Sequence, residues 1–205
     1  MFGFLKNLFG SSPRMFDWLD RLGFSKEEDD YLPLKLSCDA WHETGHLIGT
    51  FLVKCTPAHV RINTNNWNAF VCNQKRFLKL PKGKKEIIHI GGWALERKFY
   101  DINTCKRSIG FGTTKRKGKS CDWHKLGRPS VERMDTISVL FYDKAVLEFA
   151  QKAHDELVEK RRLARKDILR LYGEFMEDER IRSIVCIMEK EFDKHYREHP
   201  ENDRP

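Results

Sequence analysis

The string Trp41-His42-Glu43-Thr44-Gly45-His46 contains the pattern His-Glu-x-x-His, three residues whose types and spacing suit metal-assisted hydrolysis. Helical residues four apart project from one face about one turn apart, so the imidazoles of His42 and His46 can reach a single ion. Zinc accepts imidazole nitrogen at about 2.0–2.1 Å, and catalytic zinc sites keep one position open for water. Glu43, beside the first histidine, can then take the proton of a water attacking a polarised carbonyl and deliver it to the leaving amine. With this His and Glu content the pattern arises by chance about 0.02 times in such a chain, so the functional reading is the one to pursue. Zn2+ is the expected cofactor and a polypeptide the expected substrate.

These side chains work only if a helix carries them. Ser37 can cap such a helix and Asp39 lies in its first turn near the positive dipole end, so the sequence predicts a helix from about Ser37 to Val53, ahead of Pro57. Trp41, Ile48 and Leu52 form its buried stripe. Val60 to Asn63 and Asn68 to Cys72, separated by Asn-rich turn material, read as a small antiparallel pair. Asn68, Ala69, Phe70, Val71 and Cys72 are the candidate edge strand for an extended substrate. From Glu86 to Tyr100 the apolar residues recur with helical period, and Gly91-Gly92 within that run implies close helix packing. The stretch from Asp101 to Ser120 has no period and reads as a loop, and after Pro129 the pattern is helical almost to the end, with a break expected near Gly173.

The run AWHETGHLIGTFL, followed by Thr56-Pro57-Ala58-His59 and later by GGWALE (Gly91 to Glu96), resembles the peptidase domain of the FtsH-type ATP-dependent zinc proteases. The closing stretch KAHDELVEKRRLARKDILRLYGEFMEDERI is similar to that domain's C-terminal helices. The resemblance implies a mainly α-helical α+β domain of zincin type, with a small antiparallel β element beside the HExxH helix. It also implies a third zinc ligand, an Asp at the start of a later helix, and Asp122 in Ser120-Cys121-Asp122-Trp123 falls at that place. Glu96 matches a family Glu close to the site, whose implied role is to orient a ligand. His124 is a further candidate, as an oxyanion stabiliser or as a rival third ligand. The chain departs from the family in a longer and more basic loop before Asp122, and in Gly127 and Pro129 after it. It also has no phosphate-binding Gly-x-x-x-x-Gly-Lys-Ser/Thr string. The expected activity is therefore ATP-independent cleavage of flexible or unfolded polypeptides. Two rivals stand beside it: a regulatory HExxH protease acting on a specific protein, and a catalytically idle zinc-containing interaction module.

The organisation read from these signals has three parts: an amphipathic N-terminal arm over 1–35, a zinc-peptidase core over 36–128 with a basic loop over 101–120, and a C-terminal helical region over 129–205 that packs on the core. The arm, with Phe2, Leu5 and Phe9 at helical spacing, could make peripheral membrane contact but is expected to pack on the domain. In 205 residues, 33% are charged and 40% apolar, which excludes a disordered chain, and no apolar run reaches the roughly 18–20 residues of a membrane span. Six scattered cysteines without a CxxC pair and the lack of a secretory leader point to the cytoplasm. Lys+Arg exceed Asp+Glu by 38 to 30, giving +8. The basic cluster that includes Lys115, Arg116, Lys117 and Lys119 could attract an acidic partner, whereas nucleic acid is not expected. The second cluster, Lys160 to Arg170, is interleaved with acids and reads as a solvated helix face. Nothing in the sequence specifies an oligomeric state.

Overall fold

The computed structural model describes residues 31–62, 70–71, 74–99 and 130–198. Contacts divide the chain into Met1–Lys35 and Leu36–Pro205, and the second unit holds the core and the site. Its architecture is mainly helical with a small antiparallel sheet, and none of the described helices is long and apolar enough to cross a membrane.

Helix α1 runs Tyr31–Leu52. It begins six residues before Ser37, so Ser37 is an interior residue and not its cap. The reason is Pro33, which sits third in the helix, where a backbone N–H has no intrahelical partner to lose. The other end stops where expected. Lys54 takes the left-handed conformation (φ 57°). Its N–H donates to Phe51 O at 3.0 Å while the Cys55 N–H donates to Thr50 O at 2.8 Å, the two-bond Schellman closure of a helix C-terminus.

Strand β1 (His59–Arg61) pairs antiparallel with β2 (Phe70–Val71) and with β3 (Arg162–Leu163), in the order β2-β1-β3. The register sets His59 against Val71, Val60 against Phe70 and Leu163, and Arg61 against Arg162. Described strand is shorter than the two predicted segments, and β3 was not anticipated. Two residues are too few to show a period of two, and their partner lies about a hundred positions away in sequence. Val60 and Leu163 are fully buried, so one face of the β1–β3 ladder belongs to the core.

A short α2 (Gln74–Leu78) leads to α3 (Lys82–Phe99). The helix opens four residues before Glu86, because the Pro81 carbonyl accepts the Lys85 N–H at 3.1 Å. Lys82, Gly83, Lys84 and Lys85 carry no apolar signal that could have marked the start. Beyond Ser130, whose hydroxyl accepts the Arg133 N–H, come α4 (Val131–Ser138), a 3-10 turn (Val139–Phe141) and α5 (Lys144–Lys160), the last capped by Asp143 accepting the Ala145 N–H at 3.0 Å. Then follow α6 (Arg165–Glu177) and α7 (Glu179–Glu198).

The expected break near Gly173 does not occur, since that glycine lies inside α6 with open space around it. The breaks fall instead at Arg161, left-handed at φ 59°, and at Asp178, whose carboxylate accepts the Ile181 N–H at 2.9 Å. The second basic cluster is therefore spread over a helix end, a strand and a helix start, and is not one helix face. Phe51 and Leu52 of α1, Ile88 and Leu95 of α3, Phe141, Leu157, Leu163 and Phe175 are each almost wholly buried in one continuous core.

Candidate metal centre

The site is built where α1 crosses α3. Gly45 faces Gly91 and Gly92, and Gly49 faces Ile87 and Ile88, so the helices run antiparallel with backbones almost touching. A Cβ at Gly45 would lie 2.0 Å from the Gly91 carbonyl oxygen, and one at Gly91 would lie 2.4 Å from the Gly45 oxygen. Both positions must therefore be glycine for this approach. Gly92 has a different task, because its missing side chain leaves room for both imidazoles. A Cβ there would sit 2.9 Å from His46 Nε2 and 3.0 Å from His42 Cε1.

This crossing brings the outer nitrogens of the two histidines together, His42 Nε2 and His46 Nε2 being 2.9 Å apart with the rings edge to face. The inner nitrogens are each held by α3. His42 Nδ1 lies 3.1 Å from Glu96 Oε2, and His46 Nδ1 lies 2.8 Å from the Ile88 carbonyl oxygen. A carbonyl only accepts, and so does an ionised carboxylate, so both Nδ1 atoms donate and both Nε2 atoms of neutral rings point lone pairs at one another. Facing lone pairs repel unless a proton or a metal ion is shared between them. A tetrahedral zinc with bonds of about 2.0–2.1 Å holds two nitrogens roughly 3.3–3.4 Å apart, close to the separation found here. The donor set of His42 and His46 thus fits zinc, and a small opening of the pair accommodates it.

Glu96 is only 1% exposed, and its Oε2 lies within hydrogen-bond distance of His42 Nδ1. His46 is buried and Glu43 half-buried, on the same helix turn as the two ligand candidates. Of the other residues singled out in the sequence, Phe70 and Val71 form β2, an edge of the described sheet. Asn68, Ala69, Cys72, Asp122 and His124 lie outside the described residues, as do the basic loop and nearly all of the N-terminal arm. Among the described residues no group of three or more His, Cys, Asp or Glu surrounds a common point.

Two neighbours were missed in the sequence. His89 of α3 stands edge-on to His46, ring centroids 6.0 Å apart, and edge-on to Phe77 of α2 at 5.5 Å. It precedes Glu96 by seven residues, two helical turns, so the helical period places both on one face and could have flagged it. His154 of α5 stacks on Trp41 at 4.0 Å, with Phe99 stacked on Trp41 at 3.6 Å. Trp41, the residue before the first ligand candidate, is thereby clamped between rings from α3 and α5. No local pattern could have disclosed that contact, which spans 113 positions between Trp41 and His154. Comparison with protein-family models, curated protein sequences and solved structures returned no match to the chain.

Proposed function

We propose that the chain is a zinc-dependent metalloendopeptidase of zincin type that hydrolyses peptide bonds in flexible or unfolded polypeptides. The observation that carries this reading is the paired Nε2 atoms of His42 and His46, 2.9 Å apart on one helix with both inner nitrogens tied to α3. The likeness of HETGH and GGWALE to FtsH-type peptidases supports it, and an intact Glu43 argues against a merely structural ion, which needs no base.

His42 and His46 would hold the metal, with Asp122 as the proposed third ligand. Zinc, when bound, supplies Lewis acidity to a peptide carbonyl and acidifies water. Glu96 keeps the His42 ring in the tautomer that presents Nε2, and the Ile88 carbonyl does the same for His46. Glu43 accepts the proton of the attacking water and returns it to the amine as the C–N bond breaks. Strand β2, at the edge of the sheet among the described residues, is the proposed site along which an extended substrate lies as a further strand. No phosphate-binding loop occurs in the 205 residues, so the proposed reaction draws no energy from ATP. Substrates must then arrive already extended.

Zinc content and cleavage of an unstructured peptide, measured on the native chain and on Glu43→Gln, test the proposal. The native chain should carry about one zinc and cleave, while the variant keeps the metal and loses cleavage. Cleavage by Glu43→Gln at the native rate would refute the assigned base.

A further inference from the structure

The positive charge of the second basic cluster is cancelled unevenly. Lys160 donates to Glu156 at 2.7 Å and to Asp167 at 2.8 Å, Arg170 pairs with Glu156 and Glu174, and Lys152 donates to Glu174 at 2.7 Å. Arg165 is occupied by the Thr56 and Pro57 oxygens. Arg161, Arg162 and Lys166 of the cluster remain exposed, as does Arg61 of β1, and no carboxylate among the described residues forms an ion pair with any of these four.

The guanidinium groups of Arg61, Arg161 and Arg162 are gathered by the sheet. Antiparallel register sets Arg61 opposite Arg162, with their neighbours Val60 and Leu163 turned into the core, so both arginines stand on the outer face. Arg161 precedes Arg162 directly, and its carbonyl accepts the Ile62 N–H at 2.9 Å, fixing it beside β1. Like charges directly opposite on a ladder are destabilising, and a left-handed residue other than glycine adds cost at Arg161. Stability alone therefore does not explain the arrangement. The concentrated field is felt nearby: the imidazole of His59, on the same face two residues before Arg61, is held below its usual range by partial burial and then by Arg162 and Arg61.

We propose that the outer face of the β1–β3 ladder binds an acidic segment of a polypeptide, with Arg61 and Arg162 gripping carboxylates and Arg161 flanking them. Planar guanidinium groups match carboxylates in two-bond forks. Three guanidinium groups can neutralise only about three phosphates, fewer than the roughly 6–10 contacts of an extensive nucleic-acid interface. None of its three arginines belongs to the histidine pair, and binding there does not depend on whether the chain hydrolyses peptides.

The test uses the full chain and a fluorescein-labelled peptide of about ten residues alternating Glu and Ser, some 33 Å when extended. Fluorescence anisotropy is read at about 0.01 M and 0.15 M salt, between which the screening length falls from about 30 to 8 Å. The native chain should bind this peptide at low salt, weaken as salt rises, and ignore a Gln/Ser peptide. Arg61→Ser with Arg162→Ser should weaken binding by about tenfold or more, the scale of one charge-assisted contact. Its melting temperature should be equal or higher, because a like-charge pair is gone. Arg61→Lys with Arg162→Lys should retain part of the affinity and reports on the surface should the Ser variant melt lower. Equal affinity of the native chain and the Ser variant would overturn the proposal. So would tighter binding of a single-stranded oligonucleotide of the same length, lost on the same substitutions, since the face would then belong to nucleic acid.

Discussion

Glu96 illustrates how one buried carboxylate can set the chemistry of a neighbour. At 1% exposure, with Oε2 3.1 Å from His42 Nδ1, it dictates which imidazole nitrogen holds the proton and hence where the His42 lone pair points. If the site takes zinc as proposed, Glu96→Ala should weaken zinc binding by about 10–100-fold without abolishing it, as loss of a ligand-orienting partner does. Competition against a chromogenic chelator measures this directly, and unchanged affinity would remove Glu96 from the site. The third ligand is tested in the same way. Asp122→Ala should lose both zinc and cleavage, whereas His124→Ala should keep the metal. Retention of stoichiometric zinc by Asp122→Ala after dialysis would eliminate Asp122.

At the scale of elements, the histidine pair depends on how closely α1 and α3 approach. Gly45→Ala places a methyl 2.0 Å from a backbone oxygen that cannot move aside as a side chain would. The helices must separate, at a cost on the order of 1–3 kcal/mol or more. Thermal unfolding should register that loss, and the widened crossing should lower zinc affinity as well. A second expectation concerns α5. Asp143 caps it through the Ala145 N–H, and the side-chain bond from Arg180 of α7 holds its carboxyl below the usual range despite partial burial. A carboxylate depressed on folding stabilises the folded state above its unfolded value, about 3.9, and the contribution fades as pH falls through the lower folded value. Asp143→Asn, which can still cap but cannot pair, should therefore melt lower than the native chain at neutral pH, with the gap closing in acid. Asp143→Ala should lose about 1 kcal/mol more with the cap.

For the whole molecule, one core joins α1 and α3 to α4–α7, so the site and the C-terminal helices should unfold together. An ion bound only by the folded state adds stability through mass action, about 2.7 kcal/mol at a hundredfold excess over its dissociation constant. If the site holds zinc as proposed, stripping it with a chelator should lower the melting temperature, and zinc, not magnesium, should restore it. Turnover of an unfolded substrate should be indifferent to ATP, because the 205 residues hold no phosphate-binding loop. ATP-stimulated turnover by this chain alone would contradict that expectation.

The His42-Glu43-His46 spacing and the glycines of the second helix were legible in the sequence because they are local. Helical period alone puts two histidines on one face, and Gly91-Gly92 announces close packing before any partner is known. The end of α1 near Val53 and the buried stripe of Trp41, Ile48 and Leu52 were legible for the same reason. What local period cannot encode, only the tertiary structure decided. The pairing of β3 with β1 across about a hundred residues is one such feature, and the clamp of His154 on Trp41 is another. Which basic residues of one cluster find carboxylates and which stand exposed was settled only by the fold. The tie of His42 to Glu96 and of His46 to the Ile88 carbonyl belongs with these. Each depends on where separate elements come to rest, which packing of the whole core sets and no short window of sequence contains.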